Sequence, residues 1–273
     1  VLINGEPATS VSVSDRGLAY GDGVFETFRI VADKLLFEEL HLQRLRKGCE
    51  RLGIALELDQ VRSELTSALE MRSTQTGVLK LLVTRGSGGR GYRPGVTNAS
   101  TRIITLHALP ANLQLNAEKG IKAFVCKQKL SSQPTLAGLK HLNRLEQVLA
   151  SLEWPDETCQ EGVMLDLEGN VVEGTKSNIF IVNNGQLTTD SLATCGIAGV
   201  MRQILLQHFT DKVHVGKFNL KQLYSADEVF FCNSIFGVWP LRHLLSNDFE
   251  RHYTTGPSTL MAQSIFNKAL SSE

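Results

Sequence analysis

Two stretches decide how this chain reads: Leu136-Ala137-Gly138-Leu139-Lys140-His141-Leu142-Asn143-Arg144-Leu145 and Glu173-Gly174-Thr175-Lys176-Ser177-Asn178. The first supplies an amine able to form an imine, the second a carboxylate able to face a ring nitrogen. An imine-forming lysine must spend part of its time as the free amine, and desolvation or a neighbouring cation lowers its pKa enough for that. Leu142, Leu145, Leu149 and Leu152 follow at helical spacing, so the pattern predicts a helix that Lys140 opens. The positive end of the helix dipole then disfavours its ammonium form. Taken alone, such a lysine is an ordinary solvated side chain, and Glu173 is a strand-end surface carboxylate.

Around these stretches, turn and strand signals alternate. Asn4-Gly5 marks a hairpin, Val24 to Val31 is rich in strand formers, and Leu35-Leu36-Phe37 follows a turn at Ala32-Asp33. A helix is predicted from about Leu40 to Leu52, with Leu42, Leu45, Cys49 and Leu52 on one face and Gly53 as its stop. A second helix is predicted after Asp59 as N-cap, with Val61, Leu65 and Leu69 inward. Val78 to Thr84 and Arg102 to Leu109 read as strands, and Pro110 to Glu118 as a polar connection. Further on come a strand at Ile121 to Cys126 and a meander turning at Glu168-Gly169 and Asn184-Gly185. A helix after Gly199, a strand through Val229-Phe230-Phe231 and a helix after Pro257 complete the pattern. Strands and helices mix without a regular βαβ rhythm, which predicts a mixed α/β (α+β) protein of two domains. The boundaries expected are 1–110 for a smaller N-terminal domain, 111–118 for a linker and 119–273 for a larger C-terminal domain.

At 273 residues the chain is long enough to bury a substantial core. Its 28 basic and 28 acidic side chains cancel, so no global field draws it to nucleic acid or an anionic membrane. No apolar run is long enough to span a bilayer, and Val1 to Gly5 reads as strand and turn instead of a secretion signal. Five scattered cysteines form no CxxC pair, and the histidines show no familiar ligand spacing. Reduced thiols, a cytoplasmic location and no structural metal are therefore expected.

Arg85-Gly86-Ser87-Gly88-Gly89-Arg90-Gly91-Tyr92 formally matches a dinucleotide fingerprint, but Tyr92-Arg93-Pro94-Gly95 follows where that motif needs a helix. The loop is either a hairpin connection or a carboxylate reader, because guanidinium groups bind carboxylates in pairs of bonds. Gly196-Ile197-Ala198-Gly199-Val200-Met201-Arg202 enters a helix through glycines, and helix N-termini present N–H donors to phosphate.

GLKHLNRLEQV, with EGTKSNIF downstream and HLQRL upstream, resembles the fold-type-IV pyridoxal-phosphate enzymes. That family includes branched-chain and D-amino-acid aminotransferases and aminodeoxychorismate lyase. The match runs in order over nearly the whole chain, and KHLNRLEQ with RGSGGRGY looks most like the lyase branch. The resemblance implies pyridoxal 5'-phosphate in a cleft between the two domains, a homodimer, and conversion of 4-amino-4-deoxychorismate to 4-aminobenzoate and pyruvate on the folate route. A D-amino-acid or branched-chain aminotransferase is the alternative.

Residue matching assigns Lys140 as cofactor anchor and base and Glu173 as partner of the pyridine nitrogen. Arg44, the Val200 and Met201 N–H groups, the Ser234 hydroxyl and the Ile235 N–H are implied on the phosphate. Tyr20, Phe25, Arg90 and Asn233 are implied on the substrate, with Thr27 steering the lysine or the leaving group. Glu26 departs from the small polar residue of some lyases and matches the aminotransferase-like Phe25-Glu26-Thr27 string.

Overall fold

The computed structural model describes residues 1–72, 74–89, 91–95, 99–247 and 249–272. The chain forms two compact units. One comprises Val1–Leu109 with Leu139–Asn143, the other Pro110–Gly138 with Arg144–Ser272.

The first unit contains β1 (Leu2–Ile3), β2 (Glu6–Pro7), α1 (Arg16–Tyr20), β3 (Gly23–Val31), β4 (Lys34–Leu35), α2 (Glu38–Leu52), α3 (Leu58–Glu70), β5 (Gly77–Thr84) and β6 (Thr101–His107). The strands pair antiparallel in the order β2-β1-β6-β5-β3-β4. Strand alternation puts Val24, Phe28 and Ile30 of β3 into a core with Leu42, Leu45 and Cys49 of α2 and Val61 and Leu65 of α3. Phe25, Thr27 and Arg29 alternate onto the other face, where they are half-buried. Gly53 stops α2 at φ 64°, its N–H returning to the Cys49 and Glu50 carbonyls. Asp59 does not cap α3; the N-cap is Glu57, and Asp59 lies inside the first turn, where a negative charge suits the dipole.

The second unit contains α4 (Leu113–Lys119), β7 (Ile121–Leu130), α5 (Leu145–Ser151), β8 (Glu161–Asp166), β9 (Asn170–Gly174), β10 (Asn178–Asn183), β11 (Gln186–Thr189), α6 (Val200–His208), β12 (Val213–Val215), β13 (Phe218–Asn219), α7 (Leu220–Ser225), β14 (Glu228–Asn233), β15 (Gly237–Leu245), β16 (Glu250–His252) and α8 (Pro257–Ser272). Strands β10-β14-β15-β7-β8-β9 follow one another, and β9 pairs back onto β10, so six strands close a ring. Pairing is parallel at β15–β7 and β7–β8. Val125, Val163, Ile179, Phe231, Trp239 and Leu241 belong to the core of this unit.

Two further sequence expectations change. The connection after Pro110 carries α4, because Leu113 and Ala117, one helical turn apart, pack on the core, while Trp239 Nε1 and Gln263 Nε2 donate to their carbonyls. Tertiary anchoring of this kind outweighs weak local periodicity. The helix expected from Lys140 starts only at Leu145, and its leucine stripe faces outward: Leu145, Leu149 and Leu152 are 75%, 50% and 76% exposed, whereas Gln147 and Ala150 are buried. Lys140 is therefore not at a helix N-terminus.

Phe180 and Phe230 face each other across β10 and β14 with ring centroids 5.1 Å apart, both fully buried. Phe230→Ala is expected to cost about 3–5 kcal/mol of unfolding free energy. Urea denaturation measures this, and a loss below about 1 kcal/mol would contradict the packing described.

Candidate active site

Segment 139–143 lies along the first half of β3, where β4, which pairs only with Ile30 and Val31, does not reach. Phe25 N–H donates to the Lys140 carbonyl at 2.9 Å and Leu142 N–H to the Gly23 carbonyl at 3.0 Å. Two glycines make that approach possible. A Cβ on Gly23 would stand 2.7 Å from the Leu142 side chain and 2.5 Å from the Val83 carbonyl. Gly21, at φ 63°, ends α1, accepts from Asn143 Nδ2 at 3.0 Å, and has no room for a Cβ beside that amide. Extended pairing thus displaces the helix expected at Lys140. The half-buried lysine places Nζ 4.1 Å from the centre of the Phe25 ring. Lys80, opposite Thr27 on β5, reaches the same ring at 5.3 Å. Sequence reasoning passed over Lys80; the signal was the Val78–Thr84 strand pattern read together with its pairing to β3.

On the core side of β3, Glu26 is 1% exposed and accepts from Arg44 Nε at 2.8 Å and Nη2 at 2.5 Å. His41 Nδ1 lies 2.6 Å from the same carboxylate. Burial pushes the Glu26 carboxyl up, but Arg44 and then His41 outweigh it and bring its pKa to about 2. His41 is pushed down, by burial first, against the opposing pull of Glu26. The departure at Glu26 noted in the sequence thus has a structural role: it fixes Arg44 with two charge-assisted bonds.

The Gly-rich loop divides its arginines. Arg85 donates to both oxygens of Asp22 and to the carbonyls of Leu52 and Gly53 at the end of α2, so it is a structural cation. Arg16 joins Asp22 and holds the carbonyls of Gly91 and Tyr92 at 3.0 and 2.8 Å. Tyr20 lies at the end of α1, its ring 5.6 Å from that of Tyr92. Arg90, the expected carboxylate reader, lies outside the described residues.

In the second unit the Glu173 to Asn178 stretch is the β9–β10 turn. Glu173 and Asn178 pair directly, and Gly174 N–H donates to the Ser177 carbonyl at 2.7 Å. Glu161, fully buried, accepts from Thr175 N–H and hydroxyl and from the Ser177 hydroxyl, which sets the shape of the turn. Glu173 is 3% exposed; it accepts from Ile197 N–H at 2.8 Å, and Gln147 Nε2 lies 3.5 Å away. Asn178 accepts from Gly199 N–H at 3.1 Å and donates to the Ile197 carbonyl at 2.8 Å. The same turn therefore holds the carboxylate and the entry to α6. Val200 and Met201 are buried first-turn residues of α6, whose N–H groups have no carbonyl within the helix.

After β14, Asn233 Oδ1 accepts from Ile235 and Phe236 N–H, both at 2.9 Å, while Nδ2 donates to the Lys176 carbonyl at 3.1 Å. In this structure Ile235 N–H serves the turn and Asn233 fastens it to the Glu173 corner; Ser234 is buried beside them. Gln147, Asn178 and Glu161 were not singled out in the sequence, since each acts through a partner that only the fold supplies.

Residues 23–244 match the amino-transferase class IV family model, and the chain belongs to that family. It is 32% identical over 268 residues to an aminodeoxychorismate lyase of Vibrio harveyi, covering 97% of this chain and 98% of the relative. The crystal structure of 4-amino-4-deoxychorismate lyase from Pseudomonas aeruginosa superposes with a TM-score of 0.92 at 42% identity, covering 98% of each chain. D-alanine aminotransferase of Bacillus licheniformis is 25% identical over 287 aligned positions, covering 100% of this chain and 98% of that one. The mixed α/β class inferred from the sequence and its fold-type-IV likeness both hold.

The Glu26 network gives a pH signature. A carboxylate whose folded pKa is depressed adds stability that is complete above its unfolded value near 4.5 and is lost as pH falls through about 2. Wild type is expected to lose about 3 kcal/mol from this group over that window. Urea titrations of wild type and Glu26→Gln at pH 7, 4.5 and 3 should show the gap between them narrowing with acid. A gap independent of pH would exclude the network as its source.

Proposed function

We propose that this chain is a pyridoxal-phosphate-dependent lyase that converts 4-amino-4-deoxychorismate to 4-aminobenzoate and pyruvate, a cytoplasmic step on the folate route. The observation that carries this reading is the end-to-end likeness to the Pseudomonas aeruginosa lyase, joined to a half-buried Lys140 fixed by backbone pairing to β3.

The residues present fit the cofactor. Its aldehyde calls for an amine, which Lys140 supplies. Its pyridine nitrogen calls for an acceptor, and Glu173 is a buried carboxylate of defined orientation. Its phosphate calls for donors and a cation, for which we assign Val200 and Met201 N–H, Ser234 and Arg44, with Ile235 N–H joining them on release from Asn233 Oδ1. A guanidinium has five N–H donors, and Glu26 aligns that of Arg44 through two of them. When bound, pyridoxal phosphate supplies the electron sink that lets a proton leave the amine-bearing carbon.

Lys140 Nζ takes that proton. The bond between the neighbouring ring carbon and the enolpyruvyl oxygen then breaks, the ring becomes aromatic, and the released enol gains a proton to become pyruvate. Glu173 would hold the proton on the pyridine nitrogen of the bound cofactor. Thr27, on the same face of β3 as Phe25, holds the lysine ammonium or the leaving oxygen, with Tyr20, Phe25, Arg90 and Asn233 assigned to the substrate side. Transamination shares the first proton transfer and differs in where the proton is returned.

A homodimer is part of this proposal. The outward face of α5, with Leu145, Val148, Leu149 and Leu152 all at least half exposed, is the kind of apolar patch that a partner covers. Sedimentation is expected to give twice 30.1 kDa; a monomer at micromolar concentration would remove the dimer from the proposal. Among the described residues no helix is long and apolar enough to cross a membrane.

The reaction is tested by supplying aminodeoxychorismate without a keto acid and, separately, D-alanine with 2-oxoglutarate. Wild type should release aminobenzoate and pyruvate, and Lys140→Ala should lose at least about 10²-fold, the lower range for acid–base catalysis. Thr27→Gly should slow pyruvate release by roughly three- to a hundredfold, one hydrogen bond to a neutral or charged partner. Efficient transamination with no aminobenzoate would leave the aminotransferase reading standing instead.

A further inference from the structure

Strands β15 and β16 bring together three metal-ligating side chains, none of them among the residues assigned above. His243 and His252 are cross-strand partners. The Arg242–Tyr253 pair beside them is hydrogen-bonded, Tyr253 N–H to the Arg242 carbonyl at 3.0 Å. His243 and His252 therefore occupy a non-hydrogen-bonded position, where facing side chains stand closest. Their rings lie 4.3 Å apart and within 13° of parallel. Glu250, two residues before His252, shares its face of β16 and sets Oε1 2.5 Å from His243 Nε2 and 3.3 Å from His252 Nε2. The candidate ligand atoms all lie within 4.8 Å of one another. Although Glu250 is so near, His243 Nε2 is shielded from solvent and makes no directional hydrogen bond.

We infer that His243, Glu250 and His252 form a binding site for a divalent transition-metal ion such as zinc(II), clamping β16 onto β15. Two imidazoles and one carboxylate suit zinc, nickel or copper rather than magnesium or calcium. With metal–ligand bonds of about 2.0–2.2 Å, neighbouring ligand atoms around one ion lie roughly 3–3.5 Å apart. The Glu250–His252 spacing meets this, while His243 Nε2, 2.5 Å from Glu250 Oε1, has to move apart from the carboxylate to admit the ion. Solvent exposure on the Glu250 and His252 side leaves a way in and room for water as a further ligand. The nearest cation on the adjoining strand, Lys122 opposite His243, is held by Asp156 at 3.2 Å and Thr158 at 2.9 Å. This ion would be a clamp on an edge strand, not part of the reaction, and its ligands are hidden in sequence because they stand seven and two residues apart.

The test uses the cofactor-loaded enzyme, freed of metal by a chelator and titrated with zinc chloride by calorimetry at pH 7.5. The expected result is one zinc per chain at micromolar affinity, weakened at least tenfold in His243→Gln and in His252→Gln, with a zinc-dependent rise in melting temperature that both variants lose. Their turnover should match wild type, which also verifies that they fold. No stoichiometric binding by wild type overturns the site, as does undiminished binding by the folded His243→Gln/His252→Gln double variant.

Discussion

The pairing of residues 139–143 with β3 is the constraint on which the lysine's position depends. A lysine side chain has four rotatable carbons and no rigidity of its own, so a defined Nζ needs a defined backbone. Phe25 N–H and the Lys140 carbonyl supply that. The neighbouring pair of glycines at 21 and 23 leaves the clearance that any larger residue would close. A short piece of chain flanked on both sides by residues of the second unit is thereby made part of the first unit's sheet.

A similar logic recurs around Glu173. The carboxylate is oriented by Ile197 N–H, while the turn that carries it is shaped by Glu161 and tied to Asn233 through Lys176. Asn178, one residue pair across the ladder, seats the entry to α6. A charge buried to this degree is tolerable only when its lone pairs are met, so the corner spends its polar residues on Glu173 and Glu161.

Most of the strands and the larger helices were legible because they carry period-2 or period-3.6 patterns or end at Gly53, Gly169 or Gly185. What was hidden shares one cause, tertiary override of local pattern. The leucine stripe after Lys140 predicted a buried helix face, yet the fold buries Gln147 and Ala150 instead. Leu113 and Ala117 carry too little periodicity to announce α4, and Trp239 and Gln263, more than a hundred residues away, secure it. Lys140, Glu173 and Arg44, the residues proposed for the cofactor, drew notice through ordered motifs. Of the partners around them, Glu26 stood out only as a departure from the family string, and the contacts of His41, Gln147 and Asn178 exist only once the fold places them. Arg85 shows the reverse error, a loop arginine that looks like a ligand reader and is committed to Asp22 and the end of α2.

The closed strand ring of the second unit also sets a hierarchy of opening. A strand in a ring has neighbours on both sides and cannot peel away without breaking two ladders at once, whereas β12, β13 and β16 each hang from a single neighbour. Amide protons of β14, laddered to β10 on one side and β15 on the other, are therefore expected to exchange last, while those of the three appended strands exchange through local fraying. The corner at Glu173 and Asn178 is the seam of that ring, closed by a single residue pair.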